Sequence, residues 1–169
     1  RSSDLKKILA ITAGLLTAMA LTACGKDPKL TQFKGEIDAF CTEISDIDTA
    51  INNVDAESDT ATDELLEYLD QLDTSFQNFA ELDFPTEFDY LESLADEASA
   101  YMTQAVESYH EAYSNGGYNQ LTADYAKENY ARAYKRIQII ITFLHGEQPE
   151  NVNLTTAEET ADAASATAE

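Results

Sequence analysis

The sequence predicts an all-α protein: an antiparallel four-helix bundle of up-down-up-down topology, followed by a disordered acidic C-terminal tail. Three observations predict it. Apolar residues recur at alternating intervals of four and three through four separate segments, the spacing that lines one face of a helix. No segment alternates apolar and polar residues as a half-buried strand does. The connections between the segments are short, which favours antiparallel neighbours.

The first helix is carried by Phe33, Ile37, Phe40, Ile44, Ile47, Ile51 and Val54. Residues 25–32, polar and containing Pro28, read as a short tether ahead of it. The acidic stretch Asp55–Asp63 breaks the pattern, and Leu65, Leu69, Leu72, Phe76 and Phe79 then mark a second helix. The chain turns at Leu82-Asp83-Phe84-Pro85, after which Thr86 and Asp89 have the spacing of a capping box. Phe88, Leu91, Ala95, Ala98, Met102, Ala105, Tyr109 and Ala112 define a third helix. Its alanines allow a neighbour to come close, which makes it a tightly packed element. Ser114-Asn115-Gly116-Gly117 stops it. A fourth helix runs from about Leu121 to Leu144, with Tyr130, Tyr134, Ile137, Ile141 and Leu144 inward, and Gly146 and Pro149 end it. The bundle is thus expected over residues 33–146. Residues 147–169 hold six acidic residues, no basic residue and no aromatic, too little to bury for independent folding.

Ahead of the bundle, Lys6 and Lys7 precede an apolar run from Ile8 to Leu21 that ends in Leu21-Thr22-Ala23-Cys24. A positive flank, an apolar core of roughly 7–15 residues and a small-residue boundary make an export signal. The run is short for a membrane span, which needs about 20 apolar residues, and it has no polar face for lying on a surface. The final tetrad resembles the lipobox of bacterial membrane lipoproteins. That resemblance covers residues 1–24 and implies cleavage before Cys24, acylation of that cysteine and anchoring on the outer face of the cell membrane. Gly25 stands where many lipoproteins kept in the inner membrane of two-membrane bacteria carry aspartate, so the outer membrane is open if the source has one.

From Cys24 onward there are 7 basic and 31 acidic residues, a net charge of −24. Such a surface repels nucleic-acid backbones and anionic headgroups, so no nucleic-acid partner is expected. Cys41, one turn from Ile37 and Ile44, is the only other thiol and reads as a small buried hydrophobe.

No catalytic motif stands out, so an enzyme, a cofactor and a bound metal are not expected. The loop beginning at Asp55 faintly resembles a calcium loop, but Thr60 and Leu66 occupy the positions that demand Gly and a bidentate Glu. Glu107 and His110 form one Glu-x-x-His pair, whereas a di-iron bundle needs two.

Tyrosine is concentrated instead. Seven of nine lie between Tyr101 and Tyr134. If the third and fourth helices form a hairpin, Tyr109, Tyr113, Tyr118 and Tyr125 gather at its closed end with His110, a candidate recognition surface of flat rings and hydroxyls. Core packing accounts for the same residues. Tyr118 is expected to be exposed, Tyr130 and Tyr134 buried. Lys127, Arg132, Lys135 and Arg136 are four of the five basic residues between Phe33 and Gly146. They read as a charge-pairing patch toward Glu97 and Asp96, or as a dock for an anionic ligand. The expected function is noncovalent binding of an envelope protein, peptide or glycan beside the membrane. Alternatives are capture of a small solute or cation, and a structural role without a discrete ligand.

Overall fold

The structure, a computed structural model, describes residues 27–114 and 117–146. The signal segment with Cys24, the Asn115-Gly116 step of the third connection and the C-terminal tail lie outside the described residues. Four helices make up the fold: α1 (Pro28–Asn53), α2 (Ala61–Ala80), α3 (Glu92–Tyr113) and α4 (Gln120–Leu144), with a 3-10 turn at Asp89–Leu91 before α3. Among the described residues no helix is long and apolar enough to cross a membrane.

α1 starts earlier than the apolar pattern indicates. Asp27 caps it, its carboxylate accepting from the Lys29 amide at 2.9 Å. Pro28 occupies the first turn, where a missing amide hydrogen costs nothing. Residues 28–32 therefore belong to the helix and not to the tether. The periodic seam begins only at Phe33 because the first turn projects past the end of the core.

The α2–α3 connection also departs from expectation. Thr86 caps nothing, and α3 begins at Glu92 without a side-chain cap. The Phe88 amide instead bonds the Pro85 carbonyl at 2.7 Å, forming a turn that leads into the 3-10 segment. Burial of Phe84 and Leu91 pins this connection to the core, so packing replaces the cap. At the α1–α2 loop, the Thr60 hydroxyl donates to Glu64 at 2.5 Å rather than capping the amides of α2.

α4 keeps its expected ends. Asn119 caps it by accepting from the Thr122 amide at 3.2 Å. Gly146 closes it at a φ of 75°, where a side chain would be strained.

The core is one cluster running the length of the bundle. A chain of rings threads it: Phe33 lies 4.9 Å from Phe84, Phe84 6.1 Å from Phe79, and Phe79 4.3 Å from Phe40. Phe40 then meets Phe76 at 5.5 Å, and Phe76 meets Tyr134 at 5.5 Å. Each buried phenylalanine contributes roughly 2–3 kcal/mol from apolar surface removed from water.

Backbones approach most extensively between α3 and α4, then α2 and α3, then α1 and α2. The reason lies in the small seams: Ala95, Ala98, Ala105 and Ala112 on α3 meet Ala123, Ala126 and Ala133 on α4, all buried. α1 and α4 scarcely approach at the backbone, and long side chains fill the space between them. Ile140 takes the buried place on α4, while Ile141 is only half-buried.

Antiparallel order sorts the connections to two ends. The start of α1, the α2–α3 connection and the end of α4 share one end, where Phe33 meets Phe84 and Tyr90 meets Phe143 at 5.8 Å. The acidic α1–α2 loop and the α3–α4 connection share the other. With 26 residues at about 1.5 Å each, α1 separates the ends by about 39 Å.

Cys41 is buried, as its position predicts. Burial, aided by the nearby Asp38 charge, pushes its thiol up to about 11. At pH 8 only about one molecule in a thousand then carries the reactive thiolate. Iodoacetamide is expected to leave Cys41 unmodified in the native protein and to modify it fully in denaturant. Native-state labelling at the rate of a free cysteine would refute this placement.

Candidate functional site

The tyrosines divide into two groups with different work. Tyr130 and Tyr134 lie on the side of α4 that faces α1, and both are buried. Their rings stack at 4.8 Å, and both hydroxyls donate to Asp48 of α1, at 2.6 and 2.7 Å. This clasp spans the gap that the α1 and α4 backbones leave. Asp48 is itself buried, which raises its carboxyl above the usual aspartate range, and the two hydroxyl bonds pull part of the way back. Both tyrosine hydroxyls are held well above the usual phenol range, first by burial, then by the charge and hydrogen bonding around Asp48.

Asp48 was not among the residues that the sequence singled out. A signal existed, because Ile37, Cys41, Ile44, Asp48 and Ile51 also repeat at four and three. They form a second seam line, so Asp48 occupies a core position.

The second group lies at the closed end of the α3–α4 hairpin. Tyr109 is fully buried, and its hydroxyl finds no hydrogen-bond partner among the described residues. Burial, then Tyr113, Tyr118 and Asp124, raise that phenol strongly. Tyr113 and Tyr118 are half-buried and pack on each other at 5.3 Å. Exposure falls on Tyr125 and not on Tyr118: Tyr125 is 50% exposed and Leu121, one turn before it, 81%. The Tyr118 ring folds back onto Tyr113, whereas Tyr125 lies on the outer face of α4, its hydroxyl reaching only Gln104 at 3.5 Å.

His110 is not grouped with those rings. Its Nε2 lies 2.7 Å from an oxygen of Asp70, joining α3 to α2. Among the described residues no group of three or more His, Cys, Asp or Glu side chains is arranged to hold a metal.

The basic residues are largely occupied internally. Arg136 pairs with Glu97 at 2.9 Å, not with Asp96, and its guanidinium stands 4.9 Å from the centre of the Tyr101 ring. Arg132 pairs with Glu128 at 2.5 Å, bonds the Oδ1 of the buried Asn129 at 3.3 Å and lies 5.7 Å from the same ring. Lys127 and Lys135 are exposed. The arginines therefore knit the outer face of the α3–α4 hairpin, stacking cations on Tyr101.

A shallow cleft of about 560 Å³ lies at the opposite end, between the first turns of α1 and the α2–α3 connection, rimmed by Asp27, Glu36, Glu81, Asp83 and Glu87. Its apolar walls, Phe33 and Phe84, are nearly closed off.

Fold and site together define an acidic antiparallel four-helix bundle with one end rich in tyrosine. No protein-family model matches the chain, and neither does any curated protein or solved structure.

Proposed function

We propose that the protein is a lipid-anchored extracytoplasmic interaction module, held to the membrane through Cys24, that binds an envelope protein or peptide noncovalently at the far end of its bundle. One observation carries the reading. The exposed apolar pair Leu121 and Tyr125 lies at the end opposite Asp27, where the chain arrives from Cys24. An anchor at one end of a bundle about 39 Å long and an apolar contact toward the other suit a module that reaches outward from a bilayer. The rings, the aliphatic anchor and the carboxylates at that end are groups suited to noncovalent contact.

Photo-crosslinking in intact cells tests this. A photoreactive amino acid at position 125 is expected to give a discrete adduct with another envelope component, and one at position 90 none. Tyr90 is as exposed as Tyr125 but sits at the membrane-facing end. Adducts absent at 125, or equal from both positions, would sink the reading.

A further inference from the structure

Leu121 and Tyr125 are one turn apart on α4 and present an aliphatic side chain beside an aromatic ring. Their surroundings have a definite sign. The Tyr125 hydroxyl reaches Gln104 of α3, and Glu107 and Glu111, one and two turns further along that helix, are exposed, as are Asp124 and Lys127 beside Tyr125 in the sequence of α4. The α1–α2 loop at the same end adds exposed Asp55, Glu57 and Asp59. Arg132 and Arg136, which would offset this charge, lie further down the hairpin and are paired with Glu128 and Glu97. An apolar spot ringed by carboxylates selects an apolar residue flanked by cations, and it repels acidic chains and anionic headgroups. A sugar face stacks on an aromatic ring but gains little from an adjacent leucine. A second copy of this acidic chain would meet like charge.

We propose that the surface around Leu121 and Tyr125 docks a basic peptide segment of a partner protein, with an apolar side chain inserted between flanking lysines or arginines. This rests on the interaction-module reading and names the chemistry of its partner. Leu121 and Tyr125 act as the anchor that sets residence time, while the carboxylates steer encounter and make binding fall with salt.

The test uses the full chain in detergent micelles and three fluorescent synthetic peptides of equal length: lysine with leucine, lysine alone, and glutamate with leucine. The lysine–leucine peptide is expected to bind, and the glutamate–leucine peptide not. The Leu121→Ser/Tyr125→Ser double variant should weaken the lysine–leucine peptide about tenfold or more, as loss of an interface anchor does. Its affinity for the all-lysine peptide should stay unchanged, as should the affinity of Tyr90→Ser for both. Because the substituted residues are exposed, the double variant should melt with the parent, and circular dichroism checks that. Equal binding of the lysine–leucine peptide by parent and double variant would show attraction to net charge alone and overturn the proposal. Binding of the glutamate–leucine peptide, or an equal loss in Tyr90→Ser, would overturn it too. If those results came with a position-125 crosslink in cells, the interaction module would stand and only its basic partner would fall. Loss of both would end both.

Discussion

Replacing Asp48 by Ala is expected to lower the stability of the bundle by about 3 kcal/mol. The change leaves the Tyr130 and Tyr134 hydroxyls in the core without their acceptor, and each stranded buried donor costs roughly 1–3 kcal/mol. The small cavity left between α1 and α4 adds to the loss. Asp48→Asn removes the ionisation but keeps a polar partner for both rings: its amide oxygen accepts from one hydroxyl, and the other, which met the second carboxylate oxygen, turns to accept from the amide NH2. That variant is expected to fold with stability near the parent at neutral pH and to differ in its pH dependence.

The sign of that difference follows from burial. Asp48 has a higher pKa folded than unfolded, so the native state takes up a proton that the unfolded chain still lacks. Its contribution to stability is complete below the unfolded value of about 3.9 and is lost as pH rises through the raised folded value. Acidification through that window therefore stabilises the parent by way of Asp48, and Asp48→Asn removes this part of the slope. Urea denaturation of both proteins at a series of pH values between about 4 and 7 measures it. Identical slopes would show that Asp48 does not change protonation on folding. The raised phenols of Tyr109, Tyr130 and Tyr134 act in the same sense at the alkaline end: stability falls as pH rises above about 10.

Replacing Cys24 by Ser is expected to move the protein from the membrane fraction to the soluble fraction, or to leave it as an uncleaved precursor. Each buried methylene of an acyl chain contributes about 0.8 kcal/mol of membrane affinity, so two chains or more hold firmly where one holds marginally. The early start of α1 sharpens the consequence. Only residues 25 and 26 stand between Cys24 and the capping Asp27, and three residue steps of extended chain span at most about 11 Å. Acylation at Cys24, as proposed, would place the Phe33–Phe84 end against the headgroups and turn the Leu121–Tyr125 end away. Fractionation combined with metabolic labelling by a palmitate analogue checks both parts. Equal labelling of parent and variant would refute acylation at Cys24.

The four-helix architecture, the inward faces of α1 and α2, the burial of Cys41, and the close α3–α4 packing were determined by residue spacing alone. A 4-3 repeat has one way to bury its apolar stripe, and alanine on a seam permits close approach wherever the neighbour comes from. The stop at Gly146 is equally local; the caps at Asp27 and Asn119 also depend on a few consecutive residues, but the apolar pattern did not reveal them, and residues 28–32 read as tether.

What only the tertiary structure decided was the role of residues whose neighbours are distant in sequence. Asp48 reads as one acid among 32 until two tyrosines more than eighty residues away close over it. Arg136 chooses Glu97 over Asp96 because the turn of α3 against α4 sets which carboxylate it meets. Tyr118 is half-buried against expectation, and Tyr125 is the exposed ring, for a similar reason. A residue on a connection is half-buried when a neighbouring ring gives it somewhere to fold, and a residue on a helix is exposed when its face has no partner. Periodicity records which face a residue occupies along its own helix, but the distance to the next helix is set by the summed volumes of all the side chains between them.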